Sequence, residues 1–122
     1  MRIMVVDDDP LAGEMTAAIL EGFDHETRLA ESALEAAEIL GSDPLFDLIL
    51  SDLNMPLVSG IDLFRELRSQ GVFIPFILLT GDNPEGPLAE EPGLDACLMK
   101  DFSLQESLPP LMADVLARHR NN

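Results

Sequence analysis

Residues 2–9 read RIMVVDDD, an apolar run from Ile3 to Val6 that drives straight into three adjacent carboxylates, Asp7, Asp8 and Asp9. Apolar residues at successive positions, instead of every second one, mark a strand covered on both faces, as the strands of a parallel sheet between helices are. The acids at its end repel one another, and partial burial would raise their pKa values unless a cation offsets them. The stretch therefore points both to a buried parallel sheet and to a cation-holding site at one strand end.

Working outward, four more short apolar runs follow: TRLA (27–30), FDLILS (46–51), FIPFILL (73–79) and ACLM (96–99). Helical patterns separate them. Asp9 is placed as an N-cap before Pro10, Ser32 begins a second helix closed by Gly41, and Ser59 begins a third closed by Gly71. The stretch GDNPEGPLAEEPG (81–93) holds three prolines and three glycines, so at most two helical turns are expected there. In SLQESLPPLMADVLARHR (103–120), Ser103 and Glu106 have capping-box spacing, but Pro109 and Pro110 mean that the helix either kinks or begins near Leu108. The alternation of strands and helices predicts a doubly wound α/β fold: a five-stranded parallel sheet with helices on both faces. With no repeats or linkers, residues 1–122 read as a single domain.

Composition narrows the function. Seven Lys and Arg against 23 Asp and Glu give a formal net charge of -16, which repels phosphate backbones and anionic membranes, so neither direct nucleic-acid binding nor membrane attachment is expected. No apolar run approaches the ~20 residues of a membrane helix, and Asp7 interrupts the N-terminal run before a signal-peptide core could form. Translation is expected to start directly on the first strand. Cys97 has no partner for an internal disulfide, and His25 and His119 lack metal-ligand spacing. A cytoplasmic protein is expected.

In a doubly wound fold the functional site lies beyond the carboxyl ends of the strands. The polar residues there are Asp7, Asp8, Asp52, Thr80 and Lys100. Three carboxylates, a hydroxyl and an ammonium are the parts needed to hold a hard divalent cation beside a phosphoryl group. Taken singly, each has an ordinary explanation, as a cap, a surface charge or a strand-end residue; their joint placement points to a phosphorylation pocket.

The segments VVDDDP, SDLNMP, LLTG and LMKD together resemble the receiver domain of two-component response regulators, over essentially the whole chain. The resemblance implies the flavodoxin-like receiver topology, with a fourth helix that is short or irregular here, and a signalling switch in place of an enzyme. It makes Asp52 the phosphoacceptor, Asp8 a direct Mg²⁺ ligand, Asp7 a ligand through water, and Asn54 a ligand through its backbone carbonyl. Thr80 would hydrogen-bond the phosphoryl group, Lys100 would pair with Asp52 or its phosphate, and Gly81 would leave room. The implied partners are a histidine kinase or histidine phosphotransfer protein upstream, and a protein target or a missing output domain downstream. Met55 and Pro56 read as loop packing, Gly60 as backbone freedom before the third helix, and Cys97 as a small packed side chain.

The chain also departs from the family pattern. Asp101 stands where receivers usually have a proline after a cis bond, so the Lys100–Asp101 peptide is expected to be trans. Its carboxylate is expected to compete with Asp52 for Lys100 and to slow phosphorylation. Together with the proline-rich fourth helix, Cys97 where many receivers carry Tyr or Phe, and the Pro109–Pro110 pair, this departure leaves open a receiver-like interaction module whose phosphate switching is altered or lost. A dehalogenase-type phosphatase is disfavoured, since Asn54 stands where it needs a second acid.

Overall fold

The N-terminal apolar run forms β1 (Arg2–Val6) of a computed structural model that describes residues 1–101 and 103–120, the side chain of Arg120 excepted. Phe102, in the MKDF stretch, and the terminal Asn121 and Asn122 lie outside the described residues. The elements then alternate: α1 (Pro10–Glu21), β2 (Glu26–Ala30), α2 (Ala33–Ser42), β3 (Leu48–Asp52), α3 (Gly60–Ser69), β4 (Phe76–Thr80), α4 (Glu85–Glu90), β5 (Ala96–Met99) and α5 (Leu104–Arg120). All four strand pairings are parallel, in the order β2-β1-β3-β4-β5. This is the five-stranded doubly wound sheet expected, and its order reverses between β1 and β3, where a crevice opens.

Each face of the sheet carries its own core. Met4, Val6, Ile49, Phe76 and Leu78 pack with α2 and α3, while Ile3, Val5, Leu50, Ile77 and Leu79 pack with Leu20 of α1 and with Leu108, Met112 and Val115 of α5. Every side chain of β4 is buried, which explains why that run shows no alternation. Cys97 and Met55 are partly buried against the α2/α3 core, as packing residues. Among the described residues no helix is long and apolar enough to cross a membrane.

Several boundaries fall elsewhere than the sequence suggested. β3 begins at Leu48, because Phe46 and Asp47 anchor the neighbouring strand by their side chains: Arg2 stacks 4.3 Å from the Phe46 ring centroid and its backbone N–H donates to Asp47 Oδ2 at 2.8 Å. β4 begins after Pro75, which has no N–H for the ladder, although its carbonyl accepts from Ile49. Gly41 does not end α2; the helix continues to Ser42, and the backbone N–H of Asp43 closes it on the Ile39 carbonyl at 2.8 Å. Gly71, at φ +82°, does follow the end of α3 in the left-handed conformation.

α4 is six residues long with no buried side chain, the short helix expected of a segment so rich in proline and glycine. α5 begins at Leu104 and runs through Pro109 and Pro110. The carbonyls these prolines leave unpaired belong to Gln105 and Glu106, both exposed to water, while Leu108 and Met112 hold the helix to the sheet.

At the amino end of the sheet, Asp95 ties three elements together. Its carboxylate accepts from the Phe76 backbone N–H at 2.8 Å and from Arg68 Nη2 at 3.2 Å, and lies 2.6 Å from His119 Nε2. The reading of the sequence missed this cluster: an acid before a strand has no local signal, and its partners are 19 to 27 residues away in sequence.

Candidate functional site

β1 and β3 are neighbours, so the residues at their carboxyl ends flank the crevice where the strand order reverses. Asp7 follows β1 and Asp52 ends β3. Asp7, Asp8 and Asp52 each offer a carboxylate oxygen, and these lie within 4.8 Å of one another. Asp7 is buried, Asp52 half-buried and Asp8 exposed. Lys100, just beyond β5, places Nζ 2.9 Å from Asp7 Oδ2 and 3.5 Å from Asp52 Oδ1.

Short local bonds hold these groups in place. The Asp7 backbone N–H donates to the Ala30 carbonyl at 3.0 Å, and Asp7 Oδ1 accepts from the Asp9 backbone N–H at 3.0 Å. Asp9 itself caps α1 through Leu11 and Ala12, which separates its work from that of its neighbours. The Lys100 backbone N–H donates to the Thr80 carbonyl at 2.7 Å, fixing the base of the lysine beside β4.

The charges do not balance. Burial is the main force pushing the Asp52 carboxyl above its ordinary value of 3.8; Lys100 opposes the rise, and Asp7 and Asp8 add to it. Burial also works against the Lys100 ammonium, but its hydrogen bond to Asp7 and the charges of Asp52 and Asp7 outweigh that and hold its pKa above 10.5. Three carboxylates share one ammonium. Hard oxygen donors this close and underneutralised fit a divalent cation of the Mg²⁺ type.

Thr80 is fully buried at the end of β4, one residue beyond the partner of Asp52 in the sheet register, and its Oγ1 accepts from the Asp82 backbone N–H at 3.1 Å. A Cβ at Gly81 would meet nothing within 4 Å, so the space beside Thr80 is open. Asn54 is exposed on the loop after β3, and the contacts above do not involve its side chain.

Two expectations need correcting here. Gly60 does not supply backbone freedom; it permits close approach, since a Cβ there would stand 2.4 Å from the Asp52 carbonyl oxygen and 2.5 Å from Leu78 Cδ1. Nor does Asp101 compete for Lys100. Its exposed carboxylate accepts from the Ser103 backbone N–H at 2.8 Å and from Ser103 Oγ at 2.6 Å, because a serine two residues on offers both donors at short range. The Glu106 backbone N–H donates to the Ser103 carbonyl at 2.9 Å and not to the hydroxyl expected to form a capping box with it. No cis peptide bond occurs among the described residues, so Lys100 reaches both acids from a trans backbone.

Comparison with known proteins gives the family. Residues 3–109 match the response regulator receiver domain. The DNA-binding response regulator MtrA of Mycolicibacterium smegmatis is 38% identical over 99% of this chain, which spans 51% of that relative's length. A response regulator receiver domain protein from Clostridium thermocellum superposes with a TM-score of 0.84 at 26% identity, covering 98% of this chain and 96% of that one. The response regulator TrrA of Thermotoga maritima, solved in complex with Mg(2+)-BeF, has a TM-score of 0.83 at 29% identity over 93% of this chain and 97% of its own. The chain belongs to the response regulator receiver domain family, the phosphorylatable signalling switches of two-component systems.

Proposed function

We propose that residues 1–122 act as one receiver unit that accepts a phosphoryl group on Asp52 from a phosphohistidine of a sensor kinase or histidine phosphotransfer protein. One observation carries the reading: three carboxylates within 4.8 Å of one another share a single ammonium, 3.5 Å from Asp52, at the crevice of the sheet. In the transfer, the P–N bond to histidine breaks and a P–O bond to an Asp52 carboxylate oxygen forms. The electron pair stays on the imidazole nitrogen, which takes up a proton.

The barrier is mainly electrostatic, because an anionic donor approaches an anionic acceptor. Lys100 offsets part of that charge from where it stands. Asp7, Asp8, Asp52 and the backbone carbonyl of Asn54 would hold Mg²⁺, which when bound supplies further positive charge beside the phosphoryl oxygens. The buried Thr80 hydroxyl accepts from the Asp82 backbone N–H and keeps its own proton to donate; swinging the side chain so that this proton reaches a phosphoryl oxygen on Asp52 would carry the oxygen away from Asp82. That exchange pulls on the segment leading into α4, which has no buried side chain to resist it.

In this reading the chain turns over no outside substrate. Its output passes to a protein target or an attached output domain, and the net charge of -16 argues against direct contact with nucleic acid or an anionic membrane. The single cysteine fits a cytoplasmic setting. The test is incubation with phosphoramidate and Mg²⁺ followed by intact-mass measurement. Wild type should gain one phosphate and Asp52→Ala none; a phosphorylated Asp52→Ala would move the acceptor elsewhere. If wild type is modified but hydrogen exchange over residues 81–93 is unchanged, the receiver is an interaction module that no longer switches.

A further inference from the structure

Leu57 departs from normal side-chain economy in two ways. It is 104% exposed, the most exposed large apolar residue described, and its φ of +69° lies in the left-handed region that a branched side chain adopts at a cost. Asn or Gly would fit that backbone more easily and would expose no apolar surface. The loop's core contacts come from other residues and give no reason for leucine, while Asn54, Pro56 and Val58 are exposed beside it. Leu53 and Met55 pack on the core, the Val58 backbone N–H donates to the Pro56 carbonyl, and Ser59 and Asp62 form a capping box.

The loop is a closed excursion from the acceptor strand. Gly60 N–H donates to the Leu53 carbonyl at 2.9 Å, and the first turn of α3 sits against the Asp52 carbonyl. Leu57 is three residues from Gly60, so their Cα atoms are at most about 11 Å apart. A protein that delivers a phosphoryl group to Asp52 covers, even in a weak complex, roughly 600 Å² per partner, a disc about 14 Å in radius. Leu57 lies on the loop that borders this area, since the chain returns to the Asp52 carbonyl at Gly60. The phosphoryl group is anionic and this chain has a net charge of -16, so the transferred group itself adds no electrostatic attraction and an exposed apolar side chain is a means of holding the donor. Across the crevice, Leu11 and Met15 stand one turn apart and exposed on α1, which leaves the acids flanked by apolar side chains on both helical layers.

We infer that Leu57 is a docking anchor for the phosphohistidine-bearing protein, inserting into an apolar patch beside the donor histidine and so helping to select which donor is used. The inference rests on Asp52 being the acceptor. It is tested with autophosphorylated histidine-kinase fragments, chosen by their transfer of label to the wild-type chain, and with phosphoramidate in parallel. Leu57→Asn should slow transfer from the kinase about tenfold at sub-saturating receiver while phosphoramidate labelling stays within twofold. Leu45→Asn, which removes another exposed leucine before β3 at the opposite end of the sheet, should change neither. The thermal midpoint of Leu57→Asn should be equal to or above that of wild type. Equal loss with both donors would make Leu57 part of the pocket's own structure and overturn the inference, as would unchanged kinase transfer. A change confined to self-association of the chain would assign the leucine to a second copy instead. Label retained by Asp52→Ala from either donor would sink the acceptor reading itself, and the anchor with it.

Discussion

The two ends of the sheet hold the same kinds of side chain in opposite states of balance. At the amino end, Asp95 meets a backbone N–H, the Arg68 guanidinium and the His119 ring, and Asp43 meets Arg2. At the carboxyl end, Asp7, Asp8 and Asp52 meet one ammonium. The first arrangement is complete as it stands and ties β4, α3 and α5 together. The second is incomplete, short of the positive charge that a bound divalent cation would supply. A carboxylate is thus read as structural or functional by what its neighbours leave unsatisfied.

That contrast can be broken by experiment. The largest effect is expected from Asp95→Ala, which strands Arg68 and the Phe76 N–H. Because those side chains keep 17–19% exposure, the loss should be about 2–3 kcal/mol in urea unfolding, below that of a fully buried pair. Asp8→Ala, which removes the same charge from the other end, should cost nothing in metal-free buffer; matching losses would erase the distinction. Next comes Mg²⁺, which at ten times its Kd should stabilise wild type by about 1.4 kcal/mol and Asp8→Ala not at all, followed by thermal melting. Asp9→Ala should lose about 1 kcal/mol through its cap on α1, with the gain from Mg²⁺ intact. The smallest effect is a gain. The native Asp52 carboxyl binds its proton more tightly than the unfolded one, so its ionised form costs stability at neutral pH. Asp52→Asn should therefore be the more stable protein at pH 7 without metal, and the difference should shrink as pH falls through the raised native pKa toward 3.8.

Legibility in the sequence follows the range of the interactions. Asp9–Pro10 and Ser59 announced their helices because capping is decided within four residues. Asp7, Asp8, Asp52, Thr80 and Lys100 could be assembled because the fold brings strand ends together, so position along each strand was enough. What stayed hidden depends on partners that sequence spacing does not reveal. Arg2 reaches across to Phe46 and Asp47 and delays the start of β3, and Asp95 collects His119. Gly60 reads alike as a hinge or as a contact until the Asp52 carbonyl is seen pressed against it. Asp101 shows the reverse error, since a partner 2 residues away took the carboxylate that charge alone had assigned to Lys100.

Because α4 contributes nothing to either core, it is a module that can be exchanged without refolding its host. Its C-terminal end is held by Arg65, which pairs with Glu91 at 2.8 Å, an exposed contact of little energetic weight. Lengthening the segment between Asp82 and Glu91 would cost chiefly chain entropy, about 0.6 kcal/mol for each doubling of a flexible loop. Natural variation and deliberate grafting can therefore both rewrite this stretch, giving the same acidic pocket different audiences.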